Sequence, residues 1–551
     1  MNNPLKEKLE GLLSQYAAQK GVEAAFDVAF ERPKDPSHGD LATNCAMKYA
    51  KLLGTNPREL ATFLAEGAKG GDVVEATVAG PGFLNFRLGG NWADEVISRI
   101  KTEGDSFGST DLGQGRKVQV EFVSANPTGP LHVGHGRGAA VGDVTANLLA
   151  FTGWDVQREY YVNDAGLQIN ILGASIQARY FELYGKSELC PFPEESYKGD
   201  YIYDVARVAQ SEKGDSLLAL PLEESLPYFK DLGCRVILED IRQDLLTFGV
   251  KVDNFYSERS LYQRDLVKSA VETLRQKGHI YEKEEATWFN STSFGDDKDR
   301  VLFRSNGVPT YFASDVAYHK DKFDRGFDRV IDVWGCDHHG YIPRLTAAIG
   351  ALGKDASQFH VLLYQFVNLL IDGKPVSMST RAGTFETLAD VVKEVGVDAT
   401  RYNFLMRRSD VTVDFDMAEA KRQSSDNPVY YTQYAHARCC SLLSKAQENG
   451  VEAHFEAFKG DLMASEGEKK LVAKLADFPA EVARASQNLE PHRIVTYLYD
   501  LAALFHGFYN SCRILEEEPA LRDHHLAVVL AVRQVLQNSL RLLGLSAPER
   551  M

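Results

Sequence analysis

The sequence predicts an α/β fold in which a parallel sheet is preceded by a small α/β unit and followed by a unit made only of helices. Between Lys117 and Val162 a strand, a glycine-containing loop, a helix and a second strand follow one another, and this βαβ order implies a parallel sheet. After Phe415 strand alternation nearly disappears and long helical periodicity takes over. These two patterns set the fold class.

The chain of 551 residues is too long for one hydrophobic core and corresponds to about three to five units. Changes in pattern indicate where one unit gives way to the next. We predict an α/β unit at 1–112, a parallel-sheet unit with insertions at 113–389, a connecting segment at 390–425 and a helical bundle at 426–551.

The first unit begins with a helix, because leucines at positions 5, 9, 12 and 13 recur at helical spacing. A strand pair is predicted in the stretch DVVEATVAGPGFLNFRL at 72–88. The turn-forming residues of GSTDLGQGRK at 108–117 then mark the first boundary.

The sheet starts at KVQVEFVS, residues 117–124, where hydrophobic and polar residues alternate. A helix is predicted from about Gly136 to Phe151, with Gly153 ending it and DVQREYYV forming the next strand. Further strand and helix patterning appears at 328–353 and 359–380. The sheet is therefore expected to resume after an insertion.

Composition excludes several classes of protein. The longest apolar stretch, Val361 to Ile371, is too short for the roughly 20 residues that a bilayer requires, and the N-terminus has no signal-peptide pattern. We therefore expect a cytoplasmic protein without membrane contact. The seven cysteines are scattered and never spaced as C-x-x-C, which argues against disulfides and thiolate zinc sites.

The formal net charge of −16 argues only weakly against a nucleic-acid partner. Local charge decides such binding, and basic clusters occur, as in RYNFLMRRSD at 401–410. An RNA partner therefore remains compatible with the composition.

Two histidines, His132 and His135, stand in the stretch ANPTGPLHVGH just after a strand and just before a helix. A metal site would need further ligands, whereas a helix N-terminus favours an anion such as phosphate. Gly134 would let that ligand approach the backbone. A plain glycine-rich turn with two hydrogen-bonded histidines is the remaining alternative.

Several stretches together resemble one family. HVGH at 132–135, WGCDHH at 334–339 and VSMSTR at 376–381 look like the signature regions of a class I aminoacyl-tRNA synthetase. REYYVNDAGLQINILGASI, VPTYFASDVAYHKDKF, DNPVYYTQYAHAR and AGPGFLNFRL are similar to bacterial-type arginyl-tRNA synthetases. The resemblance runs, in order, along nearly the whole chain.

The resemblance implies a function for each unit. We expect a Rossmann-like catalytic domain at 113–389, an additional N-terminal domain that contacts tRNA, a connecting segment at 390–425 that contacts the tRNA stem, and an anticodon-binding bundle at 426–551. The implied reaction joins L-arginine to tRNA(Arg) with ATP and Mg²⁺, without a tightly bound protein metal site. A monomer, and activation that waits for tRNA, are also family expectations.

The resemblance also assigns residues. For ATP it implies His132, Gly134, His135, Gly335, Asp337, Val376 and Met378. For arginine it implies Glu121, Ser124, Asn126, His135, Tyr311, Asp315 and His338. Carboxylates suit a guanidinium, because they offer two parallel acceptors of opposite charge. Asp337 could also be a helix N-cap, an alternative that is compatible with nucleotide binding.

Single RNA-contact residues are harder to assign. Tyr434 and Arg438 are the candidates in the helical bundle, because unpaired bases stack well on aromatic rings. Tyrosines at this spacing also suit the packing face of a helix, so that alternative stays open.

The second signature departs from the family pattern K-M-S-K-S, in which lysines stabilise the triphosphate. The chain has Ser377 and Thr380 where the lysines would stand. In several family members a cation just before the histidine motif substitutes, but that position is Gly129 here. The remaining candidates for a catalytic cation are Lys374 and Arg381, and we favour Arg381 because it follows the signature directly.

Three other functions share part of these features. A cysteinyl-tRNA synthetase shares the histidine motif but should show zinc-ligand cysteines. A small-molecule nucleotidyltransferase has no use for the long helical C-terminal part. A non-catalytic tRNA-binding paralogue is opposed by the intact His132, His135 and Asp337.

Overall fold

The computed structural model describes residues 4–31, 33, 35, 38–70, 73–89, 92–375, 387–424 and 426–551. The N-terminal unit packs helices on a three-stranded antiparallel sheet of order β1-β3-β2. Its elements are α1 (Pro4–Gln19), β1 (Leu41–Thr43), α2 (Cys45–Ala50), α3 (Pro57–Ala68), β2 (Val73–Ala79) and β3 (Phe83–Leu88). The predicted first helix and strand pair are both present.

Helix α4 (Trp92–Glu103) follows, but its buried face belongs to the main core rather than to the N-terminal one. The separate core of the N-terminal unit runs from Leu5 to Phe86. The division predicted near residue 112 therefore lies beyond the end of that separate core.

The centre of the molecule is a five-stranded parallel sheet of order β11-β10-β4-β5-β6. Its strands are β4 (Lys117–Glu121), β5 (Asp155–Val162), β6 (Asn254–Ser257), β10 (Arg329–Gly335) and β11 (Phe359–Tyr364). Strand β4 is central, and its partners across the register include Glu121 with Asp332 of β10 and Glu121 with Glu159 of β5. The predicted parallel sheet is confirmed, whereas the short strand β6 was not predicted.

Helix α5 (Val133–Phe151) joins β4 to β5 and begins three residues earlier than the sequence suggested. The reason is the His132 side chain, which caps the first turn by accepting the backbone N–H of His135. The buried Arg137 then ties this end of the helix to the chain after β11, since its guanidinium donates to the Gln365 carbonyl at 2.7 Å and the Arg408 carbonyl at 3.0 Å.

Inserted elements separate β5 from β10. They are helices α6 (Leu167–Leu183), α7 (Tyr201–Lys213), α8 (Leu222–Thr247), α9 (Glu258–Gln263), α10 (Leu266–Gln276) and α11 (Tyr311–Asp324), with an antiparallel sheet of β7 (Ile280–Lys283), β8 (Ala286–Phe289) and β9 (Arg300–Phe303). Helix α12 (Ile342–Ala351) then connects β10 to β11.

After the parallel sheet come β12 (Val367–Ile371), β13 (Lys374–Pro375), α13 (Leu388–Val395), α14 (Val397–Leu405), β14 (Val413–Asp416) and α15 (Met417–Ala420). Strand β14 pairs in parallel with β12, so the segment predicted to connect two domains also contributes to a small sheet.

The C-terminal part is a bundle of α16 (Pro428–Glu448), α17 (Glu466–Asn488), α18 (His492–Ser511) and α19 (Pro519–Leu542). The predicted helical character is confirmed. Its core is continuous with that of the parallel sheet, as the hydrogen bond of 2.7 Å between the Thr152 and Ser486 hydroxyls illustrates. Within the described ranges, none of the helices combines the length and apolarity that crossing a membrane demands.

Candidate active site at the carboxyl ends of the parallel strands

A cavity of about 570 Å³ opens where β4 and β10 end and α5 begins. Ligands of open parallel sheets bind at this edge, because loops there leave a crevice between strands. The same cavity is lined by Glu121, His132, Asp315, Gly335 and Asp337, of which the first and last are more than two hundred residues apart in sequence. The structure thus brings the described members of the two predicted groups of ATP and arginine residues into one cavity.

His132 and His135 form a reciprocal cap at the start of α5. The Nδ1 atom of each ring accepts the backbone N–H of the other residue, both at 3.3 Å, and the rings stack with centroids 3.5 Å apart. Because both Nδ1 atoms act as acceptors, the neutral rings carry their proton on Nε2. Each histidine can therefore donate one hydrogen bond from Nε2.

Desolvation holds these histidines neutral. It lowers the pKa of His132 below the ordinary value, and it lowers the pKa of His135 to about 3, with the neighbouring His132 adding a smaller repulsive contribution. Positive character at this point comes from the N–H donors and from the amino end of helix α5. The arrangement suits phosphate oxygens better than a metal, since the Nδ1 lone pairs are already used.

Glycines open the nucleotide side of the cavity. A Cβ at Gly335 would lie 2.6 Å from Asp337 Oδ1, so a side chain there would displace that carboxylate. Gly335 itself is the N-cap of a short 3-10 helix, Cys336–Tyr341, and the alternative reading of Asp337 as the cap is therefore wrong. Asp337 is exposed, with His338 Nε2 3.6 Å from its Oδ2.

The opposite wall holds the predicted arginine-side carboxylates. Asp315, half-buried on α11, accepts a hydrogen bond from the Tyr341 hydroxyl, and desolvation raises the pKa of Asp315 to about 6. Tyr311 also lines the cavity but is 60% exposed, as expected for a residue at the rim. Tyr341 was not found from the sequence, because no local pattern links it to a residue 26 positions earlier.

Glu121 is already engaged within the protein. One of its oxygens contacts the ammonium of Lys322, and the other accepts the Ser124 hydroxyl at 2.8 Å. Ser124 in turn accepts the Tyr161 backbone N–H at 3.0 Å. Asn126 lies on the exposed side of the same loop and lines the cavity.

The loop after β4 has a strained backbone. Val123 has a φ of 69° and Ser124 a φ of 40°, values that residues with a Cβ seldom adopt and a β-branched residue least of all. The Ser124 N–H donates to the Phe122 carbonyl at 3.0 Å across Val123, which forms a γ-turn. Strain of this kind persists where surrounding contacts enforce it, here the hydrogen bonds that seat Ser124 beside Glu121.

The cation for the triphosphate is the least defined part of the site. No lysine or arginine from the described ranges lines the cavity, and Lys374 lies exposed in β13, away from the cavity lining. Val376, Met378 and Arg381 lie outside the described residues. Their assignment stays a prediction from the sequence.

Tyr434 and Arg438 lie half-buried in the helical bundle. The Arg438 guanidinium donates to His506 Nδ1 at 3.1 Å and stacks over the rings of Tyr434 and Tyr509, 4.7 and 4.6 Å from their centroids. These contacts are those of a packing face, which was the alternative left open for this pair.

Possible metal ligands occur away from the cavity. Within the described part of the chain, Glu468, His524 and His525 form one such group, and Cys512 and Glu517 form a second with His525. The two groups lie in the helical bundle, where hydrogen bonds already join the histidines to the glutamates.

Three family models cover the chain almost from end to end. Residues 97–424 match the model described as tRNA synthetases class I (R), catalytic domain. Residues 3–88 match the arginyl tRNA synthetase N terminal domain, and residues 432–551 match the DALR anticodon binding domain. The parallel sheet with its histidine-capped helix is therefore the catalytic domain of a class I aminoacyl-tRNA synthetase.

Individual relatives narrow the assignment. The chain is 51% identical to an arginine–tRNA ligase of Citrifermentans bemidjiense and 52% identical to one of a Geobacter species, over 98% of each chain. The solved arginyl-tRNA synthetase of Thermus thermophilus has the same fold, with a TM-score of 0.78 over 99% of this chain and all of that one, at 24% identity. The chain belongs to the arginyl-tRNA synthetase family and is an enzyme of that family. A cysteinyl enzyme and a small-molecule nucleotidyltransferase are thereby set aside.

Proposed function

We propose that the protein activates L-arginine with ATP, forming arginyl-adenylate and pyrophosphate, and then transfers arginine to the terminal ribose of tRNA(Arg). The observation that carries this proposal is the pairing, in one cavity, of neutral histidine donors at a helix N-terminus with a carboxylate wall around Asp315. One end suits phosphate and the other suits a guanidinium.

The histidine side of the cavity would act on ATP. In the first step a carboxylate oxygen of arginine attacks the α-phosphorus, and the bond to the pyrophosphate oxygen breaks. The Nε2–H groups of His132 and His135 are placed to donate to phosphate oxygens as charge grows on the leaving group. A Cβ at Gly134 or Gly335 would press on the side chain of His132 or Asp337, so the two glycines keep these groups in place for the nucleotide, and Asp337 would accept from its ribose hydroxyls.

ATP enters as its magnesium complex, and a protein cation would complement it. We assign that role to Arg381, ahead of Lys374, with Val376 and Met378 along the nucleotide. The described cavity lining carries negative charge and no lysine or arginine, so the triphosphate needs a countercharge that comes from elsewhere.

The carboxylate side would select arginine. Asp315 would pair with the guanidinium, with Tyr341 orienting its carboxylate and Tyr311 covering the rim. Glu121 would contribute a second acceptor, while Asn126, His338 and Ser124, which also line the cavity, would face the backbone end of the substrate. Neutral amino acids of similar length would leave the Asp315 charge unpaired, which costs them binding free energy.

The transfer step needs the tRNA. The 2′-hydroxyl of the terminal ribose attacks the arginyl carbonyl, the mixed anhydride opens, and AMP leaves. We infer that the helical bundle binds the anticodon arm and that the N-terminal unit contacts tRNA elsewhere. Because Arg438 donates to the Tyr434 hydroxyl and to His506, these residues would more readily shape that surface than contact a base directly. We expect a monomer in the cytoplasm.

The test is amino-acid-dependent exchange of pyrophosphate into ATP, measured with and without tRNA(Arg). We expect exchange with arginine, and we expect it to depend on tRNA. Exchange supported by cysteine instead, or no exchange with arginine plus tRNA, would overturn the proposed function. Tight tRNA binding without exchange would indicate the non-catalytic paralogue.

A further inference from the structure

Lys322 is a fully buried charge beside the arginine pocket. Its side chain has 0% relative exposure, and its ammonium contacts a Glu121 oxygen and lies 2.7 Å from Asp332 Oδ1. The ammonium also lies 4.4 Å from the centre of the Tyr318 ring. A buried ammonium costs several kcal/mol unless it is well paired, so these contacts require an explanation beyond packing.

The explanation lies in the register of the sheet. Glu121 at the end of β4 and Asp332 in β10 are direct partners on adjacent parallel strands, so their side chains project from the same face. Two carboxylates opposed in this way repel each other. Lys322 reaches both from helix α11 and removes the repulsion. Burial would lower the pKa of Lys322, but attraction from Asp332 and Glu121 outweighs it, and the pKa is raised.

The other oxygens of the two acids are held as well. Ser124 donates its hydroxyl to Glu121, and His319 Nε2 lies 2.8 Å from Asp332 Oδ2. His319 Nδ1 lies 2.8 Å from the Asp315 carbonyl, which links the network to the residue that faces the guanidinium. Both oxygens of the Asp332 carboxylate therefore have a partner within the protein.

Asp315 differs from these two acids. Its carboxylate has the Tyr341 hydroxyl as partner and, among the described residues, no ion pair to a lysine or arginine. Glu121, Asp332 and Asp315 all line the cavity, whereas Lys322 lies behind that wall. From the protein side, the single charge of Lys322 is shared between Glu121 and Asp332, whereas Asp315 has no such cation.

We propose that Lys322 is a positioning residue for arginine recognition: it offsets the Glu121–Asp332 repulsion and fixes the Glu121 carboxylate as the second acceptor beside Asp315, the acid that pairs with the guanidinium. This inference rests on the proposed function. Lys322 acts through Glu121 and does not touch the substrate. Its substitution should therefore change KM for arginine and leave KM for ATP nearly unchanged.

Two substitutions on helix α11 test it. Lys322→Met removes the buried ammonium, and Lys320→Met is the matched control, since Lys320 pairs with Asp324 at 2.6 Å on a more exposed face of the same helix. In arginine-dependent exchange with tRNA present, we expect Lys322→Met to raise KM for arginine about 10- to 100-fold, with KM for ATP within about threefold of the wild type. Lys320→Met should change neither constant.

A charge-balanced double variant covers the case in which Lys322→Met does not fold. Glu121→Gln/Lys322→Met removes one acid and one base together, and Asp332 keeps His319. If Lys322 acts through Glu121, KM for arginine in the double variant should equal that of Glu121→Gln within about threefold. Lys322→Arg, which keeps the charge, should recover part of the lost affinity.

The outcomes separate cleanly. A folded Lys322→Met protein with an unchanged KM for arginine, or with equal rises for arginine and ATP, would overturn the inference. A double variant more than about tenfold worse than Glu121→Gln would do the same. Failure of the wild-type protein to exchange with arginine and tRNA would instead overturn the proposed function, whatever Lys322 does.

Discussion

His132 and His135 each accept the backbone N–H of the other through Nδ1, at 3.3 Å in both directions. The contact begins helix α5, and it also fixes which ring nitrogen faces the cavity. Capping therefore uses one edge of each imidazole, and the catalytic role that we propose would use the opposite edge. Substitutions that spare one edge can separate the two roles.

His132→Asn should separate stability from catalysis. Asparagine is a good N-cap and can accept the His135 N–H, so the melting temperature should stay near that of the wild type. Its amide cannot reproduce the Nε2–H donor, so arginine-dependent exchange should fall by about 100- to 1,000-fold. Calorimetry and the exchange assay measure the two effects.

His132→Ala serves as the comparison. It removes both edges and should lower stability by about 1 kcal/mol in addition to the loss of exchange. If the asparagine variant keeps wild-type exchange, the assignment of His132 to phosphate is wrong.

Arginine affinity should depend on pH through Asp315. Desolvation raises the pKa of this carboxyl to about 6, so it is neutral below that pH and ionised above it. Since a guanidinium needs the ionised form, kcat/KM for arginine should fall as pH drops through about 6, with that limb reporting the free enzyme. Desolvation lowers the pKa of His135 to about 3, so His135 stays neutral over the same range, and it lowers the pKa of His132 as well.

The control is kcat/KM for ATP at saturating arginine, which should show no matching limb near pH 6. Asp315→Asn should raise KM for arginine at least about 10-fold at pH 7.5 and abolish the limb. A limb that persists unchanged in Asp315→Asn would assign the titration to another group.

The sequence predicted the features that depend on neighbouring residues, and it missed those that depend on contacts between residues far apart in the chain. The strand, loop and helix around 117–151 follow from local alternation and periodicity, and the structure contains them. The start of α5 was placed too late because glycines at 134 and 136 resemble a loop, whereas a histidine side chain supplies the cap. Strand β6 has only four residues, and pairing with β5 is what makes it a strand.

The residues of the active site also divide into those that local motifs predict and those that only long-range contacts define. Its signature residues were found because they lie in short recognisable stretches. Lys322 and Tyr341 were missed because each contacts a residue of another element. Lys322 contacts Glu121 and Tyr341 contacts Asp315, and no local sequence pattern links either pair. The one available signal was spacing, since Asp315 and Lys322 are two helical turns apart and share a face of α11.

Arg381→Ala should lower the rate of exchange and leave the affinity of the enzyme for arginine nearly unchanged. If Arg381 supplies the triphosphate countercharge, its loss should reduce kcat by about 100-fold and leave KM for arginine within about threefold. Lys374→Ala is the matched control, an exposed cation of β13 that does not line the described cavity. Exchange assays with both variants decide between the candidates, because a large loss in Lys374→Ala alone would transfer the role to Lys374.

The helical bundle offers a stability prediction that is independent of the active site. Glu468, 1% exposed near the start of α17, accepts from His524 Nε2 at 2.6 Å, while His524 Nδ1 accepts the Lys459 backbone N–H at 3.1 Å. Glu468→Ala would leave the Nε2–H of His524 buried without an acceptor, which costs about 1–3 kcal/mol.

The exposed Glu466 on the same turn is the control, and Glu466→Ala should change stability by less than about 0.5 kcal/mol. Thermal melts should therefore show a clear loss for Glu468→Ala alone, with arginine-dependent exchange at 25 °C retained. Equal melting temperatures for the two variants would mean that the buried pair adds nothing to the stability of the bundle.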